Sequence, residues 1–320
     1  MIGTAFSEII GQPQAVKILT QAIAQQKLAP AYLFTGMAGV GKRTTARAFI
    51  QAITGKVRHP DVLWVEPTYM DKGKLLTLKE AEEAGLKRKT SPQIRIEQIR
   101  EVADFLSRPP LFGERSLVVI ASAETMAESA GNALLKTLEE PGRATIILIA
   151  PTEVSLLPTL VSRCQKVPFS RLALADMQLI LQKVLPPDRA SELPETLLWQ
   201  AEGSIGNALQ AHRYLQTIPP ELLPSADNLP QTAIAAMELA KSISSLDPEA
   251  QLWLADYWQN WLWEKYCLPA PIKIFEQTKQ HLQHFVQSRL AWEVALIGLV
   301  NVICTAPKTA MLRDTTSTIS

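Results

Sequence analysis

The sequence predicts an α/β domain built on a parallel sheet, followed by a region made of helices alone. Three observations carry this. The apolar run Ala31-Tyr-Leu-Phe34 leads directly into the glycine-rich stretch Gly36-Met-Ala-Gly-Val-Gly-Lys42 and then into a helix-forming tail. Up to Phe169, short β-branched runs alternate with amphipathic helical stretches; beyond it, only helical spacing remains. Strands alternating with helices give a parallel sheet, because each crossover must return the chain to the same end of the sheet.

In chain order, a helix is expected over Pro13 to Gln26, with Val16, Leu19 and Ile23 at helical spacing. Ala31 to Phe34 is the strand before the glycine loop, and Thr44 to Ile53 the helix after it. His59 to Glu66 contains a short strand. Residues 68–91 are polar and mixed in charge, and read as a surface loop with a charged helical turn. Ile94 to Phe105 is helical, with Ile96, Ile99, Val102 and Phe105 on one face. Arg115 to Ala121 and Thr145 to Ala150 are strands of the kind buried on both faces, separated by a helix over Ala127 to Glu139. Residues 173–215 read as three short helices, broken at Pro186-Pro-Asp188 and around Gly203 to Gly206. Pro219, Pro220, Pro224 and Pro230 make 218–231 a linker or stiff loop, and 232–306 is helical. Trp253, Trp258, Trp261 and Trp263 crowd one helix too closely to share a face; either a subset faces an interface or the helix is buried all round. The polar residues Asp314 to Ser320 read as a disordered tail.

Composition excludes several classes. The chain has 320 residues and a hydrophobic content of 47%, enough for two or three domains with real cores. A net charge of +1 argues against an autonomous nucleic-acid binder. Cys164, Cys267 and Cys304 are far apart and odd in number, which suits a reducing compartment. No metal-ligand cluster is spaced in the sequence; His281 and His284, the only close histidine pair, sit in a polar helical context and are expected at the surface. With no apolar leader and no run of about 18 apolar residues, a soluble cytoplasmic protein without a membrane role is expected.

The glycine stretch fits a phosphate-binding P-loop at Gly36, Gly41 and Lys42. Such a loop turns backbone N–H groups inward and adds the positive end of the following helix. Gly36, Gly39, Gly41, Lys42 and Thr44 are therefore the candidate nucleotide-binding residues. The pattern calls for Ser or Thr after the lysine, where a hydroxyl reaches magnesium, and Arg43 stands there instead. Thr44 comes one residue late and points elsewhere on the helix. A P-loop ATPase also needs an Asp-Glu pair at the end of a buried strand; after Leu117-Val-Val-Ile120 come Ala121 and Ser122, and Glu124 lies too far along. Phosphate binding is conceivable, but ordered magnesium and hydrolysis are not expected.

Two further stretches are specific: Asn132-Ala-Leu-Leu-Lys-Thr-Leu-Glu-Glu-Pro141 and Ser162-Arg-Cys164. Together with Ile10-Gly-Gln12, the glycine loop and His59-Pro-Asp61, they make the first half of the chain resemble clamp-loader subunits of the AAA+ superfamily, most narrowly the delta-prime type of bacterial DNA polymerase III. The resemblance implies a P-loop domain over 1–168, a small helical lid over 169–217 and an all-α collar with a polar tail over 218–320. It implies that Arg163 is an arginine finger acting in trans on the γ-phosphate of ATP in a neighbouring subunit, a task suited to a permanently charged, bidentate guanidinium. In hydrolysing members a lid motif Gly-Ser-x-Arg adds a further arginine; here Gly203-Ser-Ile-Gly206 ends in glycine. The zinc module of some members has no counterpart, since residues 50–110 lack cysteine. The cis-acting parts are missing and the trans-acting part is kept. The expectation is a subunit that needs no cofactor itself, with at most weak ATP binding at the degenerate loop. It would sit in a five-subunit ring with delta and tau/gamma-type subunits that bind ATP and magnesium, and help load the sliding clamp on primed DNA. The alternative is an active tau/gamma-type motor subunit.

Overall fold

The computed structural model describes residues 5–56, 58–71, 73–83, 91–140, 142–186, 195–267, 269–284 and 286–305. The expectations for residues 84–90, Pro141, Pro187-Asp188 and the tail Asp314 to Ser320 lie outside them. The chain divides into two compact units, Met1–Ala208 and Leu209–Ser320.

The first unit opens with helix α1 (Pro13–Ala24), strand β1 (Ala31–Thr35) and helix α2 (Lys42–Thr54). Then follow β2 (Val62–Val65), a hairpin of β3 (Tyr69–Asp71) and β4 (Lys74–Leu76), α3 (Leu78–Glu83) and α4 (Ile96–Ser107). β5 (Ser116–Ile120), α5 (Glu128–Glu139), β6 (Ala144–Ala150), the short α6 (Pro158–Val161) and β7 (Gln165–Pro168) complete the sheet region. The main sheet has five strands in the order β2-β5-β6-β1-β7, all parallel. Its residues alternate between two cores. Tyr32, Phe34, Leu117, Val119, Ile147 and Ile149 pack with Leu19, Phe49 and Ile50 of α1 and α2. Leu33, Val118, Ile120, Ile146 and Leu148 pack with Ile99 and Val102 of α4 and Leu134 of α5. This explains why β5 and β6 read as unbroken apolar runs: every position is buried.

The hairpin β3–β4 corrects the reading of 68–91 as a loop with a helical turn: Tyr69–Asp71 and Lys74–Leu76 are paired strands, and the helical turn lies at Leu78–Glu83. Strands of three residues are too short to show a period, so the pattern was not legible. α7 (Leu174–Val184), α8 (Glu195–Gln200) and the start of α9 (Ile205–Thr217) form the helical part of this unit.

The second unit holds a 3-10 turn at Pro220–Leu222 and helices α10 (Ala233–Ile243), α11 (Pro248–Tyr266), α12 (Pro269–Gln283) and α13 (Ser288–Thr305). Asp247 caps α11 by accepting from Glu249 N and Ala250 N, with Pro248 in the first turn. The proline-rich stretch 218–231, read as a linker or stiff loop, is packed into the second unit: Leu222 and Leu229 are buried in the helical core, and Trp258 Nε1 donates to Leu222 O at 3.0 Å. Trp258 is fully buried and stacks on Phe275, while Trp253 and Trp261 are half-buried and Trp263 is 46% exposed. His281 and His284 are exposed, as the sequence suggests.

Candidate functional site

β1 lies between β6 and β7, and the chain leaves it for β2 at the far edge of the sheet. That switch in strand order opens a crevice at the carboxyl end of β1, the place where open α/β sheets bind ligands. The glycine loop occupies it. A cleft of about 340 Å³ is lined there by Gly39, Gly41, Lys42, Arg43 and Thr44, with Ala121, Ser122 and Glu124 from the end of β5 and Gly206 from α9. Gly36 closes β1 just before the cleft, its N–H bonded to Pro151 O at 3.1 Å.

Within this cleft the lysine is already engaged. Lys42 Nζ donates to Gly36 O and, at 2.7 Å, to Met37 O, so the ammonium is bound by the loop's own carbonyls. Burial pulls its pKa below the usual lysine range, and the Glu124 carboxylate offsets part of that. Arg43 forms an ion pair with Glu66, the residue that follows β2. A cation thus stands at the position that should supply a ligand to another cation. Neither Ala121 nor Ser122 at the strand end offers a carboxylate. The residues present do not fit a bound magnesium ion, and among the described residues no group of His, Cys, Asp or Glu is arranged to hold a metal.

The start of α9 lies directly against the loop. Gly206 N donates to Gly39 O at 3.1 Å. A Cβ at Gly206 would stand 2.8 Å from Gly39 Cα, and one at Gly39 would meet Ser204 Oγ and, at 2.8 Å, the Gly206 backbone. The glycine found at the lid's arginine position is therefore required by backbone-to-backbone packing.

Gln12 holds the loop from the other side. Its side chain is buried, donating to Val40 O at 3.1 Å and Ser170 O at 2.7 Å and accepting from Ser170 N at 3.1 Å. Asp61 has a separate structural task. Its buried carboxylate accepts from Leu111 N (2.6 Å), Phe112 N (2.9 Å) and Gly113 N (2.8 Å), fixing a turn whose side chains Leu111 and Phe112 are 74% and 78% exposed. Ile10-Gly-Gln12 and His59-Pro-Asp61 marked these residues in the sequence, but not their partners, which lie 28 to 158 and 50 to 52 positions away.

Arg163 is not part of the cleft lining. It follows α6, is exposed, and donates through Nη1 to Thr159 O at 3.0 Å and through Nη2 to Glu139 Oε1 at 2.8 Å. Cys164 beside it is half-buried, and burial pushes its thiol up to about 11, which makes it a packing residue.

Two family models match the chain: "DNA polymerase III, delta subunit" over residues 11–173 and "Cyanobacterial DNA polymerase III delta prime, C-terminal domain" over residues 175–299. The DNA polymerase III subunit delta' of Pseudomonas aeruginosa is 30% identical over 253 residues, covering 72% of this chain and 70% of that one. The subunit tau of Bacillus subtilis is 30% identical over 171 residues, which are 52% of this chain and 29% of tau; the chain thus spans under a third of that relative's length. A solved DNA polymerase III gamma subunit-related protein from Thermotoga maritima shares the fold, with a TM-score of 0.53 at 18% identity over 90% of this chain and 99% of that one. The engaged lysine and the missing strand-end carboxylates sit inside the stretch that the first of these models covers, the contact of Gly39 with Gly206 joins it to the stretch of the second, and the chain belongs to the delta-prime family of DNA polymerase III clamp-loader subunits.

Proposed function

We propose that this chain is a catalytically silent clamp-loader subunit that completes the ATP site of a neighbour by presenting Arg163 in trans. One contrast carries the reading. Its own cleft has Lys42 bound by the loop's carbonyls, Arg43 in place of a hydroxyl and no carboxylate at Ala121 or Ser122, whereas Arg163 lies outside that cleft, at the surface, held by an acid that is itself 53% exposed. A guanidinium placed against a γ-phosphoryl group stabilises charge that develops in transfer, and such fingers contribute about 10³–10⁵ in rate. A smaller factor is expected in a machine that uses ATP for conformational work.

The neighbours are a tau/gamma-type subunit, which binds ATP and magnesium, and a delta subunit, together forming a five-membered ring that loads the sliding clamp on primed DNA in the cytoplasm. The helical second unit serves as the collar. Ile234 and Met237 on α10 and Leu290 and Val294 on α13, two helices that pack together, leave apolar side chains exposed in support of that role. Among the described residues no helix is long and apolar enough to cross a membrane.

The test is ATP binding and hydrolysis by the purified chain, alone and mixed with a tau/gamma-type subunit. The expected result is no turnover alone and stimulation in the mixture that Arg163→Ala abolishes without preventing assembly. Stimulation that survives Arg163→Ala refutes the finger. The second reading, an active motor subunit, draws on Lys42 and Glu124 lining one cleft. Turnover by the chain alone that is lost in Lys42→Ala would establish it instead.

A further inference from the structure

The geometry points to Glu139 as the positioning residue of the arginine finger, a role that rests on the reading of Arg163 just proposed. Glu139 is the last residue of α5, and Glu140 follows it. The carbonyl end of a helix carries partial negative charge, so a carboxylate there is disfavoured unless a cation answers it. Arg163 supplies that cation from the turn after α6, with Nη2 at 2.8 Å from Glu139 Oε1. Its Nη1 is bonded to Thr159 O at 3.0 Å, within the same short helix that Pro158 opens.

Two anchors on different nitrogens fix both the reach and the plane of the guanidinium. One of them, Thr159 O, is local and moves with Arg163. Among the described residues, Glu139 is what ties the finger to another element, α5, whose Leu134 and Leu138 are buried in the sheet core. A guanidinium has five N–H donors, and among the described residues two are spent, so others remain for a phosphate while both anchors stay in place. Glu139 therefore holds the finger ready without blocking it. A long, rotamer-rich side chain fixed in advance has less freedom to lose when the phosphate arrives. The pair is exposed, so its loss should leave the fold intact.

The experiment measures ATP turnover by the full complex of this chain with its tau/gamma-type partner, with assembly followed by gel filtration. Misplacing a reacting group by 1 Å costs roughly 10²-fold, so loosening one of two anchors should cost about tenfold. Glu139→Ala is expected to lower kcat by that factor at unchanged KM for ATP, because the nucleotide is bound by the neighbour. Glu139→Gln keeps an oxygen acceptor at the same place and should restore most of the rate. In an Arg163→Ala background, Glu139→Ala should cause no further loss. Parental turnover in Glu139→Ala, with Arg163→Ala slow, overturns the positioning role and leaves the finger standing. Parental turnover in Arg163→Ala overturns both. A Glu139→Ala defect that persists without Arg163, or that Gln does not relieve, also overturns the positioning role.

Discussion

Replacing Gly206 by alanine tests whether the lid is held by its contact with the glycine loop. The new Cβ would stand 2.8 Å from Gly39 Cα, where carbon atoms prefer about 3.5–4.0 Å. The partner is backbone, so the strain cannot be relieved by a rotamer change; the backbone at Gly206 must move away by about 1 Å to restore an ordinary carbon–carbon distance. Overpacking of this kind costs about 1–3 kcal/mol. The hydrogen bond from Gly206 N to Gly39 O would be lost with it, a further cost of about 1 kcal/mol. Alanine recovers up to about 1 kcal/mol in the first turn of α9 through its helix propensity. The balance is a loss of about 2 kcal/mol, or roughly 4–8 °C in the Tm of a unit of this size. Scanning calorimetry on the full chain, with hydrogen exchange at the Gly206 amide, measures both. An unchanged Tm together with unchanged exchange at Gly206 would refute the claim that backbone packing dictates glycine here. The longer Gly206→Arg change, which restores the lid arginine of the hydrolysing members, should open the lid at least as far and confer no ATP turnover.

Asp61→Ala should free the turn at Leu111 to Gly113. Three N–H groups lose a charged acceptor, but the turn is exposed and water can replace part of it, so about 2–3 kcal/mol is lost and amide exchange there rises about 30–150-fold. Equal protection in the variant would count against the clamp. Burial pushes the Asp61 carboxyl upward, but the three N–H bonds outweigh it and hold its pKa below the usual range. That contribution is complete above the unfolded value of about 3.9 and is lost as pH falls through the lower folded value. The stability gap between parent and variant should thus close in acid, which denaturation at pH 7 and pH 3 compares. Cys267 is exposed whereas the Cys164 thiol is pushed up to about 11, so a thiol reagent near pH 8 should modify Cys267 well ahead of Cys164; the reverse order, read by peptide mass, would contradict the packing role.

By itself, the sequence determined the fold class and the character of the cleft. Strands buried on both faces, such as Leu117 to Ile120, can only be apolar throughout, and amphipathic helices such as Ile96–Ser107 must repeat at 3.6 residues, so local chemistry makes both visible. The absence of a hydroxyl at Arg43 and of acids at Ala121 and Ser122 is equally local, because a side chain's chemistry does not depend on what surrounds it. The β3–β4 hairpin was hidden by its brevity, and the docking of the proline-rich stretch by the fact that Leu222 and Leu229 gain meaning only from Trp258 and its neighbours. Tertiary structure alone decided where the polar groups are spent: Lys42 on its own loop, Arg43 on Glu66, Gln12 on Val40 and Ser170, Arg163 on Glu139. Most of these pairings join residues far apart in the chain, and no periodicity records them. They arise because buried or crowded polar groups must find partners wherever the packed backbone happens to bring them.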